Sequence, residues 1–172
     1  MKAAEPLCRQ LCAAAGTVVL SAPYSAALPD AVEALEWSAD HSSELGEDSQ
    51  RLVVAGEGPG GGVAAATALY ARDQNWPSLH RQVLIRPSMR IGPVASSLRY
   101  GIRPATASVE GVASATVVTV TTDSTAEGGV RYAARLRRAG IEVVGLRYEL
   151  GSFHRMPYNL DLSLHRNSKG QS

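Results

Sequence analysis

The stretch that most constrains this chain is RLVVAGEGPGGGVAAA, residues 51 to 66. Leu52, Val53, Val54 and Ala55 form an unbroken apolar run, as in a strand covered on both faces of a parallel sheet. Pro59 suits the first turn of a helix, where its missing N–H costs nothing and its φ is already right. Gly60, Gly61, Ala64, Ala65 and Ala66 then let that helix lie close against the sheet. A strand, a sharp glycine turn and a small-residue helix together open a βα unit. The pattern therefore predicts an α/β protein.

The remaining segments keep the same rhythm. Residues 4–15 read as a short helix with Leu7, Cys8, Leu11 and Cys12 on its inner side, stopped at Gly16. Residues 17–24 read as a strand and 28–45 as a helix, with Pro29 in its first turn and Val32, Leu35 and Trp37 apolar. Strand 51–57, helix 60–74 and strand 82–87 follow, then strand 115–121, helix 126–139 and strand 141–148. Right-handed crossovers make this a three-layer sandwich around a mainly parallel sheet of about five strands. Strand 17–24 either pairs directly with 51–57 or leaves an edge for a partner chain to fill, and direct pairing is expected, because a buried unpaired edge is costly. Residues 88–113, rich in Ser, Gly and Pro, break the pattern. The 172 residues suffice for one domain, 1–166, with a polar tail at 167–172.

Composition excludes several classes. The net charge is +1 with the charges interspersed, so neither a nucleic-acid nor a membrane surface is expected. The basic stretch RYAARLRRAG fits a solvated helix face ending at Gly140. Glu5 and Arg9 interrupt what would have to be the apolar part of a signal peptide, and no run reaches about 18 apolar residues. A cytoplasmic protein is the default expectation. Cys8 and Cys12 alone make a poor metal site, and no metal or cofactor is expected.

The turn Gly56-Glu57-Gly58-Pro59-Gly60 has the frame of a nucleophile elbow, G-x-S-x-G, with glycine at the serine position. Here the chain resembles the hormone-sensitive-lipase-like carboxylesterases of the α/β-hydrolase fold, whose elbow reads G-D-S-A-G-G. The helix VAAATALYARD, the segment AAAGTVVLSAPY with Tyr24 and a displaced Pro29, and the strand RQVLIRP, ending in Arg86 where the family usually has tyrosine, extend the likeness. So does ATVVTVTTDSTAEGGVRYAARLRRAGIEVVGLRYELGSFH. By position, the resemblance implies that Asp123 matches the triad acid and His154 the triad histidine. It also implies a family member truncated at its N-terminus, since no H-G-G-G-type oxyanion loop stands upstream of residues 4–14.

On this reading the serine mechanism is disabled. Loss of a triad serine costs about 10⁶-fold, or roughly 8 kcal/mol of barrier. Pro59 lacks the N–H that the fold places in the oxyanion hole, worth ~10²–10³ more. Glu57, Gly58 and Pro59 then remain as candidate ligand-binding positions, with Asp123 and His154 as an acid–base pair for a small organic substrate. Glu57 as a replacement nucleophile is disfavoured because it should face outward, near the helix N-terminus. Ser21 and Ser25, at the end of the first strand, have no base beside them in sequence. A homo-oligomer or a complementing chain is open as a partner, the chain then being one fragment of a split hydrolase. The competing reading is a dinucleotide-binding protein, in which Gly56-x-Gly58-x-x-Gly61 approaches a pyrophosphate and Arg86 holds the 2′-phosphate of NADP.

Overall fold

A computed structural model describes residues 5–22, 28–89 and 101–149. Helices α1 (Glu5–Ala15) and α2 (Leu28–His41) precede a single 3₁₀ turn at Ser49–Arg51. Strand β1 (Leu52–Glu57), helix α3 (Pro59–Gln74), strand β2 (Leu79–Ile85), strand β3 (Ser114–Val120), helix α4 (Ala126–Arg138) and strand β4 (Val143–Tyr148) follow. The sheet is parallel throughout, in the order β1-β2-β3-β4. Strands in sequence order, joined through helices, are what right-handed crossovers produce.

Burial explains the sequence pattern. Val83, Leu84 and Ile85 of β2 and Val117, Val118 and Val120 of β3 are all buried, as central parallel strands require. Helix α3 is buried from Gly61 to Leu69, because glycine and alanine allow close approach to β1 and β2. A Cβ on Gly61 would stand 3.0 Å from Pro87, so the helix start is packed backbone to backbone against the end of β2. Helix α4 instead is amphipathic. It buries Gly129, Tyr132, Ala133 and Leu136 and presents its arginines to solvent or to loop carbonyls.

Among the described residues two polar side chains, Thr67 and Gln82, are fully buried, and Thr67 donates its hydroxyl to Val63 O at 3.0 Å within α3. Gln82 donates from Nε2 to Ala113 O at 2.9 Å and accepts from the Tyr132 hydroxyl at 3.2 Å. Both side chains are thus satisfied where water is excluded. Burial pushes the Tyr132 phenol up to about 12, against the hydrogen bond to Gln82.

The sheet differs from the sequence expectation at one edge. Among the described residues it has four strands rather than about five, and residues 17–22 enter no ladder. The Val18 N–H donates to the Glu47 carboxylate at 2.8 Å instead of to a strand carbonyl. Val18 and Leu20 remain 46% and 52% exposed, so little apolar burial draws the run inward. The expected closure assumed a dry edge. In fact Ala55 and Glu57 of β1 are exposed, and water can satisfy their backbone groups. Helix α1 also departs from expectation: Cys12 is exposed and Cys8 half-buried, so the pair is not core. Residues 23 and 24 of the expected strand lie outside the described residues. No helix among the described residues is long and apolar enough to cross a membrane.

Candidate functional site

In parallel α/β sheets, ligands meet the protein beyond the carboxyl ends of the strands. At that edge β1 turns into α3 through Gly58, which has φ 56° and ψ −122°. This combination is essentially reserved for glycine, and other residues adopt it only under strain. The turn is held from three sides. Gly58 donates its N–H to Ile85 O at 2.8 Å, and its own carbonyl accepts from Ser88 N at 2.8 Å and Gly61 N at 3.1 Å. The preceding Gly56 is equally fixed, because a Cβ there would fall 2.1 Å from Gly60 O. A Cβ on Gly58, in contrast, would meet nothing within 4 Å. The sharp strand-to-helix turn expected from the sequence is therefore formed, and the direction in which a side chain would project from residue 58 is open.

Beside the elbow, three strand ends are tied together by charge. Arg86 follows β2 with φ 46°, its N–H bonded to Val118 O at 2.8 Å. Its guanidinium reaches Glu57 Oε1 of β1 at 2.6 Å and Asp123 Oδ2, beyond β3, at 3.3 Å. Glu57 is thus exposed as expected, yet it is also part of the cluster. Asp123 is held further by Thr125, whose N–H and hydroxyl both lie 2.8 Å from Oδ1. The same hydroxyl is 3.2 Å from Arg86 O. These Thr125 bonds, and then the Arg86 charge, hold the Asp123 carboxyl below its usual range against the effect of burial. Glu57, and to a lesser degree Asp123, raise the Arg86 guanidinium.

Gly58, Pro59, Glu57 and Asp123 are accordingly gathered at one edge of the sheet. Arg86 and Thr125 complete the group. The sequence offers Arg86 only as a 2′-phosphate ligand on the dinucleotide reading and as a departure from the family's tyrosine, and it offers Thr125 in no role. Thr125 could have been found from the D-x-T spacing, which favours a local side-chain turn. Ser21 lies elsewhere. With Leu20, Ala22, Asp30, Glu33, Ala34 and Trp37 it lines an open groove of about 370 Å³ against α2. Ser25 and His154 lie outside the described residues.

Chemically the cluster offers carboxylates and one guanidinium, and the two acidic groups outweigh the single cation. That balance disfavours a phosphate, so Arg86 is poorly placed to serve the 2′-phosphate of a dinucleotide. Among the described residues, no group of His, Cys, Asp or Glu is arranged to hold a metal ion.

Comparison with known proteins points the same way. Residues 1–100 match the family described as the alpha/beta hydrolase fold. Esterase LipI of Mycobacterium tuberculosis is 39% identical over 89 residues, covering 47% of this chain and 28% of that protein. An arylesterase of Saccharolobus solfataricus is 26% identical over 162 residues, covering 76% of this chain and 52% of its own. Among solved structures, the Pyrobaculum calidifontis esterase superposes with a TM-score of 0.73 at 29% identity, over 85% of this chain and 61% of that one. The metagenomic carboxylesterase EstE1 gives 0.72 at 26% identity, over 86% and 64%. The chain spans from about a quarter to about half the length of the curated relatives it matches.

Proposed function

Because the chain belongs to the alpha/beta hydrolase fold family, we propose that it is a member in which ordinary serine-ester hydrolysis is switched off. What remains on this reading is a binding site for a small organic ligand beside Glu57, Gly58 and Pro59. The single feature that carries the proposal is the residue at the elbow, Gly58, in the conformation that a nucleophile would have to adopt. Glycine supplies no oxygen or sulfur to attack a carbonyl, so no acyl-enzyme can form there. Pro59, at the first helical position, supplies no N–H to an oxyanion. Two separate contributions to catalysis, ~10⁶ and ~10²–10³, are thereby lost at adjacent residues.

His154 and Asp123 would be the residual chemistry, as a histidine base or acid oriented by a carboxylate. Proton transfer of this kind contributes about 10²–10⁴-fold and serves only an already reactive substrate. The engagement of Asp123 by Thr125 and Arg86 supports a largely structural role for that carboxylate. The test is hydrolysis of p-nitrophenyl acetate and butyrate by the natural protein and by His154→Ala. The proposal expects both proteins to stay at the solution background. Turnover at the rate of an ordinary esterase, abolished by His154→Ala, would overturn it.

A further inference from the structure

Asp123, the position matched to the family's triad acid, already faces a cation. Its backbone is pinned in a turn, the N–H donating to Val120 O and the carbonyl accepting from Ala126 N, both at 3.0 Å. An ionised carboxylate offers about four acceptor positions, two on each oxygen. Thr125 fills both on Oδ1, through its N–H and its hydroxyl. Arg86 Nη1 takes one of the two on Oδ2 at 3.3 Å. The guanidinium is fixed there from two strands. Its other terminal nitrogen, Nη2, is fastened to Glu57 Oε1 of β1 at 2.6 Å, and the Arg86 N–H to Val118 O of β3 at 2.8 Å. Turning the guanidinium away from Asp123 would therefore break its bond to Glu57 as well. The Asp123 side chain is largely buried, so water screens this pairing little.

A triad acid works as an uncompensated negative charge, which orients the imidazole and stabilises the imidazolium that forms. Beside Arg86 the charge of Asp123 is balanced already. The acceptor position left on Oδ2 adjoins the guanidinium. An imidazolium bonded there would stand as a second cation against the first, and a neighbouring like charge disfavours the charged form. We propose that Arg86 takes the histidine's place as the partner of Asp123, so that the acid–base pair is disconnected in addition to the losses at Gly58 and Pro59. Arg86 acts through Asp123, and it acts by charge. Glu57 contributes by holding the far end of the guanidinium. The inference rests on the reading above, in which Asp123 and His154 are the positions that match the family's acid and histidine.

Imidazole titrations followed by NMR over about pH 5 to 9 test it, the His154 signal being identified by its loss in His154→Ala. His154 should titrate at the same pH in the natural protein and in Asp123→Asn. Arg86→Gln removes the cation and keeps much of the side chain's length. It should raise the His154 pKa by about 1–3 units, the usual effect of an opposite charge close by. Adding Asp123→Asn to Arg86→Gln should cancel that rise, and Arg86→Lys, which keeps the charge, should not produce it. A His154 pKa that falls by a unit or more in Asp123→Asn alone would show the carboxylate serving the histidine with Arg86 in place, and would overturn the proposal. So would Arg86→Gln that leaves His154 unmoved. If Arg86→Gln fails to fold, the comparison of the natural protein with Asp123→Asn decides. Ester turnover by the natural protein is a separate readout: it bears on the loss of serine hydrolysis, whereas the titration bears on the pairing.

Discussion

Gly58→Ser separates the shape of the elbow from its chemistry. Nothing lies within 4 Å of the Cβ position at residue 58, so the substitution meets no clash. Its cost is conformational, because φ 56° with ψ −122° is a region that residues with side chains occupy only when forced. Such outliers cost about 1–3 kcal/mol each. For a chain of this size, 1 kcal/mol moves the thermal midpoint by about 2–4 °C. Gly58→Ser should therefore lower Tm by roughly 2–12 °C, read by circular dichroism, and still fold. It should not hydrolyse p-nitrophenyl butyrate at an ordinary esterase rate, because Pro59 still withholds an N–H worth ~10²–10³-fold. A variant as stable as the natural protein would show that the backbone at residue 58 is not held in this conformation. Full esterase activity from the single substitution would refute the oxyanion argument.

Three further outcomes follow from the same geometry. Gly56→Ala places a Cβ 2.1 Å from a backbone oxygen that cannot yield, so it should cost more than about 3 kcal/mol and lose the cooperative transition. Tyr132→Phe leaves Gln82 Oε1 buried without its hydroxyl donor and should cost about 1–3 kcal/mol by urea denaturation, where an exposed tyrosine would cost nothing. Thr125→Val removes a hydroxyl donor from the Asp123 carboxylate and should cost roughly 1.5 kcal/mol at neutral pH. Asp123 titrates below its ordinary value when folded, so this stabilisation is complete above the unfolded value of about 4 and is lost as pH falls through the folded one. The stability gap between the natural protein and Thr125→Val should accordingly shrink toward zero at low pH, and a gap constant from pH 7 to pH 2 would exclude the carboxylate as its source.

Much of this was legible in the residues themselves. The apolar run Leu52–Ala55, the helix-starting Pro59 and the small residues after it specify β1, α3 and their close packing, since each local preference agrees with the fold. Asp123 was identified at a strand end. The fifth strand is not realised among the described residues, although residues 17–22 carry a strand-like composition. Strand formation depends on a partner being within ladder distance, and sequence pattern alone does not supply that distance. The cysteines of α1 lie outside the core for a related reason, because helical spacing defines a face without saying what covers it. The clamp of Glu57, Arg86 and Asp123 joins residues up to 66 positions apart in the chain (123 − 57 = 66) and becomes visible only once three strand ends are side by side.

The central claim, that residue 58 presents backbone where this fold mounts its nucleophile, is tested most directly by a fluorophosphonate probe followed by intact mass measurement. This reagent phosphonylates an activated serine irrespective of the preferred ester. The account predicts an unmodified natural protein after prolonged exposure. A stoichiometric adduct on any serine, blocked by prior incubation with an ester substrate, would contradict it.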